Sequence, residues 1–158
     1  MLGDAIAGIV ALLEHSGLGR AARGAAWLYP LVNMLHVLGA GLLVGAIVTF
    51  DIQILRRLSG AGTVLRAAFP VAVAGLLLQV ASGVVLLSAD ASSVVRNPAF
   101  QFKMAVLTLG LINLVVFHRR FGEALKAGAP LKGAYGFAAV SFVSWVLVLL
   151  AGRAIAYL

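Results

Sequence analysis

Few side chains in this sequence can do chemistry, and the first of them, His36, sits inside a long apolar run. Tyr29, Asn33, His36, Ala40, Ile47 and Asp51 follow one another at three-, four- and seven-residue steps, so a helix carries them as one stripe. An unengaged imidazole in hydrocarbon is costly, and an ionisable residue inside a membrane reads first as a functional one. Asn33, one turn before His36, is placed to bond a ring nitrogen and fix the tautomer, as groups behind a ligating or proton-passing His do. Gln79, Asn113 and Ser144 interrupt three further apolar runs. At 1.5 Å per residue His36 lies about 15 Å into its run and the other three at about 12 to 20 Å, so all four are expected in one layer. The structural alternative is a set of interhelical hydrogen bonds, each worth about 1 kcal/mol or less.

Lys103 opens the third run behind Asn97-Pro98. It can snorkel to a headgroup or, after some helix tilt, reach the position opposite His36. His118 closes the same run beside Arg119 and Arg120, where a solvated or phosphate-contacting role is expected. Asp51 ends the first run at comparable depth, so a pair with Arg119 or Arg120 is expected to tie two helix ends together. Two histidines can clamp a haem, but His36 and His118 differ in depth by about 10 Å. Asn113, in the His36 layer, also points about 140° away from His118 on the same helix. If haem is bound, His36 is therefore the expected ligand, and His36 rather than His118 the expected chemical centre. His36 is also the one candidate for a bare metal ion, although one His among amides makes a poor zinc site. Without thiolates, the isolated Met34 and Met104 offer little to copper. No GxSxG, HExxH, P-loop or GxGxxG motif is present, so no catalytic residue is assigned.

The elements that must position these residues follow from composition. Of 158 residues 63% are apolar and 11% charged, with a mean hydropathy of +1.09. Soluble domains are roughly half apolar and a quarter charged, so a water-soluble globule and a disordered chain are both excluded. The absence of Cys removes disulfides, thiolate metal sites and a cysteine nucleophile. The net charge of +7 reflects a shortage of acids, not a basic face, so no nucleic-acid partner is expected. Four stretches reach the roughly 20 residues that a bilayer requires: Ala26 to Phe50, Ala67 to Leu87, Phe100 to Phe117 and Tyr135 to Leu158. The expected fold is all-α, an integral membrane four-helix bundle forming a single membrane domain over residues 1–158.

Residues 1–17 hold an apolar run too short to span and lack a basic leader. Leu2, Ile6, Ile9 and Leu13 recur at helical spacing, so an amphipathic helix lying in the membrane interface is expected. Gly17, Gly19 and Gly24 are expected to loosen the chain after it. Arg56, Arg57, Arg66, Arg119, Arg120, Lys126 and Lys132 fall on one side, against Arg20, Arg23, Arg96, Lys103 and Arg153 on the other. This bias puts both termini outside the cytoplasm in a bacterial inner membrane. Gly41-x-x-x-Gly45 and the Gly75, Gln79, Gly83 face are the expected close contacts, one of them available for a homo-oligomer.

The pattern WLYPLVNMLHVLGAGLLVGAIVTFDIQILRRL, with PAFQFKMAVLTLGLINLVVFHRR later, resembles a family of short four-helix bacterial inner-membrane proteins known as a domain of unknown function. Trp27, His36, Gly39, Gly45 and Asp51 match its first-helix motif. Asn97, Pro98, Phe100, Lys103 and Asn113 match its third. This resemblance implies a fold and no activity. More distantly, the chain is similar to membrane-type protoporphyrinogen oxidases and copper-resistance membrane domains, which pair a His on an early helix with a Lys beginning a later one. His36 and Lys103 are the matching positions, and the pairing implies b-type haem in the first case and copper uptake in the second. The chain lacks the Trp-rich surroundings and fuller His set of the oxidases, and the Met and His clusters of the copper domains.

The leading expectation is a small membrane protein that binds b-type haem through His36, with Lys103, Asn33, Gln79 and Asn113 around it, and acts in membrane redox or electron transfer. One alternative is a transporter for a metal ion or small solute using the same polar layer. The other is a non-catalytic accessory or anchor subunit of a larger membrane complex.

Overall fold

Where no water reaches the backbone, every N–H and C=O must pair within its own segment, and the helix is the local solution. The computed structural model describes residues 2–155 and Tyr157, and of residues 2–7 the backbone alone. Helix makes up 86% of the chain, with no strand among the described residues. The elements are α1 (Leu2–His15), α2 (Gly17–Gly24), α3 (Leu28–Leu55), α4 (Ala61–Ala89), α5 (Ala91–Arg96), α6 (Pro98–Lys126) and α7 (Tyr135–Ala154). Among the described residues four helices, α3, α4, α6 and α7, are long and apolar enough to cross a membrane.

Three of these helices outrun the apolar stretches that announce them. α3 continues to Leu55, α4 begins at Ala61 and α6 reaches Lys126, because the backbone ladder does not end where hydropathy ends. Arg66, Arg119 and Arg120 ride on these extra turns and are exposed. α7 stops at Ala154, short of the expected Leu158, which lies outside the described residues. α6 has a defined start: Asn97 Oδ1 accepts from the Ala99 N–H at 2.9 Å and the Phe100 N–H at 3.3 Å, with Pro98 at the first helical position.

α3 packs most extensively on α4, then α6 on α7 and α3 on α7, whereas α4 and α6 meet only marginally. The four helices thus form a ring closed on three sides and parted on the fourth, with α3 and α6 on a diagonal. The α3–α4 crossing depends on Gly39 and Gly75. A Cβ on Gly75 would lie 2.5 Å from the Leu43 nitrogen and 2.9 Å from the Gly39 oxygen. The expected Gly41 and Gly45 contact is not made: a Cβ on either meets nothing within 4 Å, and both face outward. Their spacing is right, but they lie on the wrong side of α3 for its neighbours.

Phe50 and Phe117 meet edge to face, ring centroids 5.7 Å apart, in a core with Ile54, Phe121 and Leu125. This contact sets the register of α3 and α6, which run in the same direction. A second core of Leu43, Val44 and Trp145, with Leu107 against it, lies about two turns nearer the start of α3.

α1, α2 and α5 gather at the end of the bundle where α3 starts. Ser16 caps α2, accepting from the Gly19 N–H at 3.1 Å. Gly19 does not loosen the chain as expected; it permits close approach, since a Cβ there would lie 2.7 Å from the Ser88 carbonyl oxygen. Arg23 donates to the carbonyls of Ala89 at 3.0 Å and Glu14 at 2.7 Å. The Glu14 carboxylate accepts from the Ser92 N–H at 2.9 Å and the Ser92 hydroxyl at 2.7 Å. These bonds hold the Glu14 carboxyl below its ordinary pKa. Ile9 and Leu12 are exposed, an apolar face on α1. The Leu2 and Ile6 part of that expected face lies outside the described residues.

Candidate functional site

Titratable side chains occur at two levels of the bundle. The first centres on His36, half-buried on α3 against α4. Its Nδ1 lies 2.8 Å from Ser82 Oγ. The single Ser82 hydroxyl proton goes to the Leu78 carbonyl, so Ser82 Oγ accepts from His36 Nδ1–H and the ring lone pair sits on Nε2. Gly83 makes room for the ring: a Cβ there would be 3.3 Å from His36 Cε1. Gln79 joins the same level differently, its Nε2 donating to the His36 backbone carbonyl at 2.5 Å.

Lys103 belongs to this level too. The Phe50–Phe117 contact pairs positions 67 apart on α3 and α6, and 36 pairs with 103. The Lys103 amine lies against α7, with Nζ 3.5 Å from where a Gly152 Cβ would stand. Two glycines on the other diagonal pair, Gly83 on α4 and Gly152 on α7, thus leave space for two nitrogen-bearing side chains, His36 on α3 and Lys103 on α6.

The second level centres on Asp51, 3% exposed near the other end of α3. Asp51 and Ser141, its polar neighbour on α7, line a cavity of about 160 Å³ together with Asn113, His118 and Trp145. Asp51 Oδ2 and Trp145 Nε1 are both buried without a hydrogen-bond partner among the described residues. Asn113 is engaged, its Nδ2 donating to the Phe137 carbonyl at 3.0 Å. His118 Nδ1 lies 3.1 Å from the Leu114 carbonyl, which can only accept, so Nδ1 carries a proton.

Several expectations need correction. The layer of four splits. Asn113 pairs in register with Ala46, about 15 Å beyond His36, and Ser144 packs on Gly110, about 10 Å beyond it. The cause is the staggered start of the runs: Phe100 stands level with Asn33, seven residues below Ala26. Asn33 is exposed, and the group that fixes the His36 tautomer is Ser82. The pair of Asp51 with Arg119 or Arg120 is absent; Asp51 faces the interior, whereas both arginines are exposed and Arg120 lies over the Phe121 ring, 5.7 Å from its centroid. His118 is exposed and also borders the cavity that holds Asp51.

Sequence reasoning missed Ser82, Gly83 as a cradle, Gly152 and Ser141. Ser82 carried a usable signal: it follows Gln79 by three residues, on the face already assigned to the α3 contact. Among the described residues no three His, Asp or Glu side chains converge to hold a metal ion. His36 would therefore ligate as a single imidazole, which suits a metal whose other ligands come with it. Comparison of the chain with protein-family models, with curated proteins and with solved structures finds no match.

Proposed function

We propose that the chain binds b-type haem through His36 Nε2 and serves membrane redox or electron transfer. The observation that carries this reading is the Ser82 contact: with Ser82 Oγ 2.8 Å from Nδ1 and its own proton directed to the Leu78 carbonyl, the neutral imidazole keeps Nε2 free for a ligand. Lys103 supports it, being a second nitrogen at the same level on the diagonal helix, which would ligate the group or pair with its acidic substituents. A tetrapyrrole supplies four of the metal's ligands itself, so one His suffices where a bare ion would want three or four. The bound group would supply one-electron chemistry; the protein's part is to hold and orient it. The reading takes the chain as a bacterial inner-membrane protein with both termini outside the cytoplasm, supported by the basic residues at the α3–α4 and α6–α7 turns.

The test is titration of the detergent-purified protein with haemin, read by absorption and electron paramagnetic resonance. One equivalent should bind with a sharpened Soret band. Lys103→Met should retain the haem and change its spin state, and Ser82→Ala should weaken binding. Haem binding with no sensitivity to either change would remove the assignment.

A further inference from the structure

The cavity at the Asp51 level has the makeup of a small-molecule site. Asp51 and Trp145 are 3% and 2% exposed, yet Asp51 Oδ2 and Trp145 Nε1 have no hydrogen-bond partner among the described residues. Each such atom costs about 1–3 kcal/mol unless something bonds it. Both residues line the same cavity of about 160 Å³, whose wall is otherwise nearly all hydrocarbon, Phe50, Ala72, Leu114 and Phe117 among it. A few converging polar groups in an apolar hollow are what ligand pockets present.

Size, spacing and access narrow the occupant. An apolar cavity of about 150 Å³ holds one benzene ring, so there is room for one ring and small substituents. Trp145 packs on Leu43, and Asp51 follows Leu43 by eight residues, about 12 Å along the helix. Two oxygens on opposite carbons of one ring, each with a hydrogen bond of about 2.8 Å, bridge about 11 Å. Trp145 Nε1–H can only donate and needs an acceptor oxygen. The Asp51 carboxyl takes a hydroxyl proton when ionised and gives its own to a carbonyl when neutral. Access is lateral, because α4 and α6 barely touch. Phe69 on α4 and Leu111 on α6 line the cavity and are still 57% and 40% exposed, so the mouth opens towards lipid.

We propose that this cavity binds the ring head of a membrane-soluble quinone or quinol, with Trp145 Nε1 on one ring oxygen and Asp51 on the other, the tail leaving between α4 and α6. The proposal stands on residues separate from His36 and does not require haem.

The test uses tryptophan emission of the full chain in phospholipid nanodiscs. The chain has two tryptophans, and Trp27→Phe makes Trp145 the sole emitter. Titration with decylubiquinone should quench it saturably, at one equivalent per chain, and decylubiquinol should compete. Asp51→Asn should weaken binding by at least about tenfold. Ala72→Phe, which fills the cavity from α4, should abolish the saturable phase, with circular dichroism confirming the helix content of both variants. Linear quenching that is unchanged by Ala72→Phe would mean simple partitioning into the bilayer and would overturn the proposal. Displacement by palmitate and not by decylubiquinol would assign an acyl-chain groove and overturn it equally.

Discussion

The two ends of the bundle use similar polar residues in opposite ways. At the His36 end the side chains complete one another: Ser82 serves His36, Gln79 serves the His36 carbonyl, and Glu14 and Arg23 tie α1 and α2 to the α4–α5 turn. At the Asp51 end a carboxylate oxygen and an indole N–H are buried and left over beside a cavity. A satisfied network positions a group, here the His36 lone pair; an unsatisfied one marks where a ligand's atoms belong. Polarity at depth does not distinguish the two. The partner inventory does.

The largest effect that would sharpen this contrast is steric and belongs to the His36 side. Gly75→Leu has no room against Leu43 and Gly39 and should cost about 3 kcal/mol or more, read as a lost or strongly lowered unfolding transition in mixed micelles. Gly45→Leu meets open space and should stay within about 0.5 kcal/mol of the parent. A comparable loss at both positions would break the assignment of the α3–α4 contact.

Removing polar groups should give opposite signs at the two ends. Ser82→Ala strips His36 Nδ1–H of its acceptor and should destabilise by about 1–2 kcal/mol. Asp51→Leu removes a buried oxygen that lacks a partner and should stabilise the ligand-free protein by about 1–3 kcal/mol. Equal destabilisation by both, in the same denaturant titration, would mean that Asp51 is satisfied after all. Gln79→Leu should be milder, about 0.6 kcal/mol, because the His36 carbonyl it serves is already within a helix.

The smallest expected effect is on pH. Glu14 is held below its ordinary pKa by Ser92, so the folded state favours the ionised form. Its contribution is complete above the unfolded carboxylate value of about 4.3 and fades as pH falls through the lower folded value. The protection of the α5 amides against hydrogen exchange, taken relative to the intrinsic rate at each pH, should therefore fall at acid pH in the parent, and Glu14→Gln should show the lower protection at neutral pH already. An acid response retained in Glu14→Gln would assign it to another group.

The sequence made the fold class legible because hydropathy alone separates this chain from soluble proteins and counts its spans. It left helix ends uncertain, since backbone pairing carries α3 and α6 past their apolar runs. Depth was readable along each run and not between runs: the stagger that sets Asn113 about 15 Å beyond His36 is fixed by Phe50 on Phe117, a tertiary contact. Spacing identified Gly41 and Gly45 as a small-residue face but could not say that α4 takes the Gly39 face instead. Asp51 and the arginines were correctly judged similar in depth; direction around the helix decides pairing, and Asp51 turns inward. His36 and Lys103 share a level through the same Phe50–Phe117 register.

Under both proposals the two ends do separate work, cofactor binding at His36 and ring binding at Asp51. The most direct measurement is the absorption spectrum of protein titrated with haemin, compared across His36→Ala, His118→Ala and Asp51→Asn. The account predicts that His36→Ala loses the Soret band and that the other two keep it. A band that survives His36→Ala and disappears with His118→Ala or Asp51→Asn would contradict it.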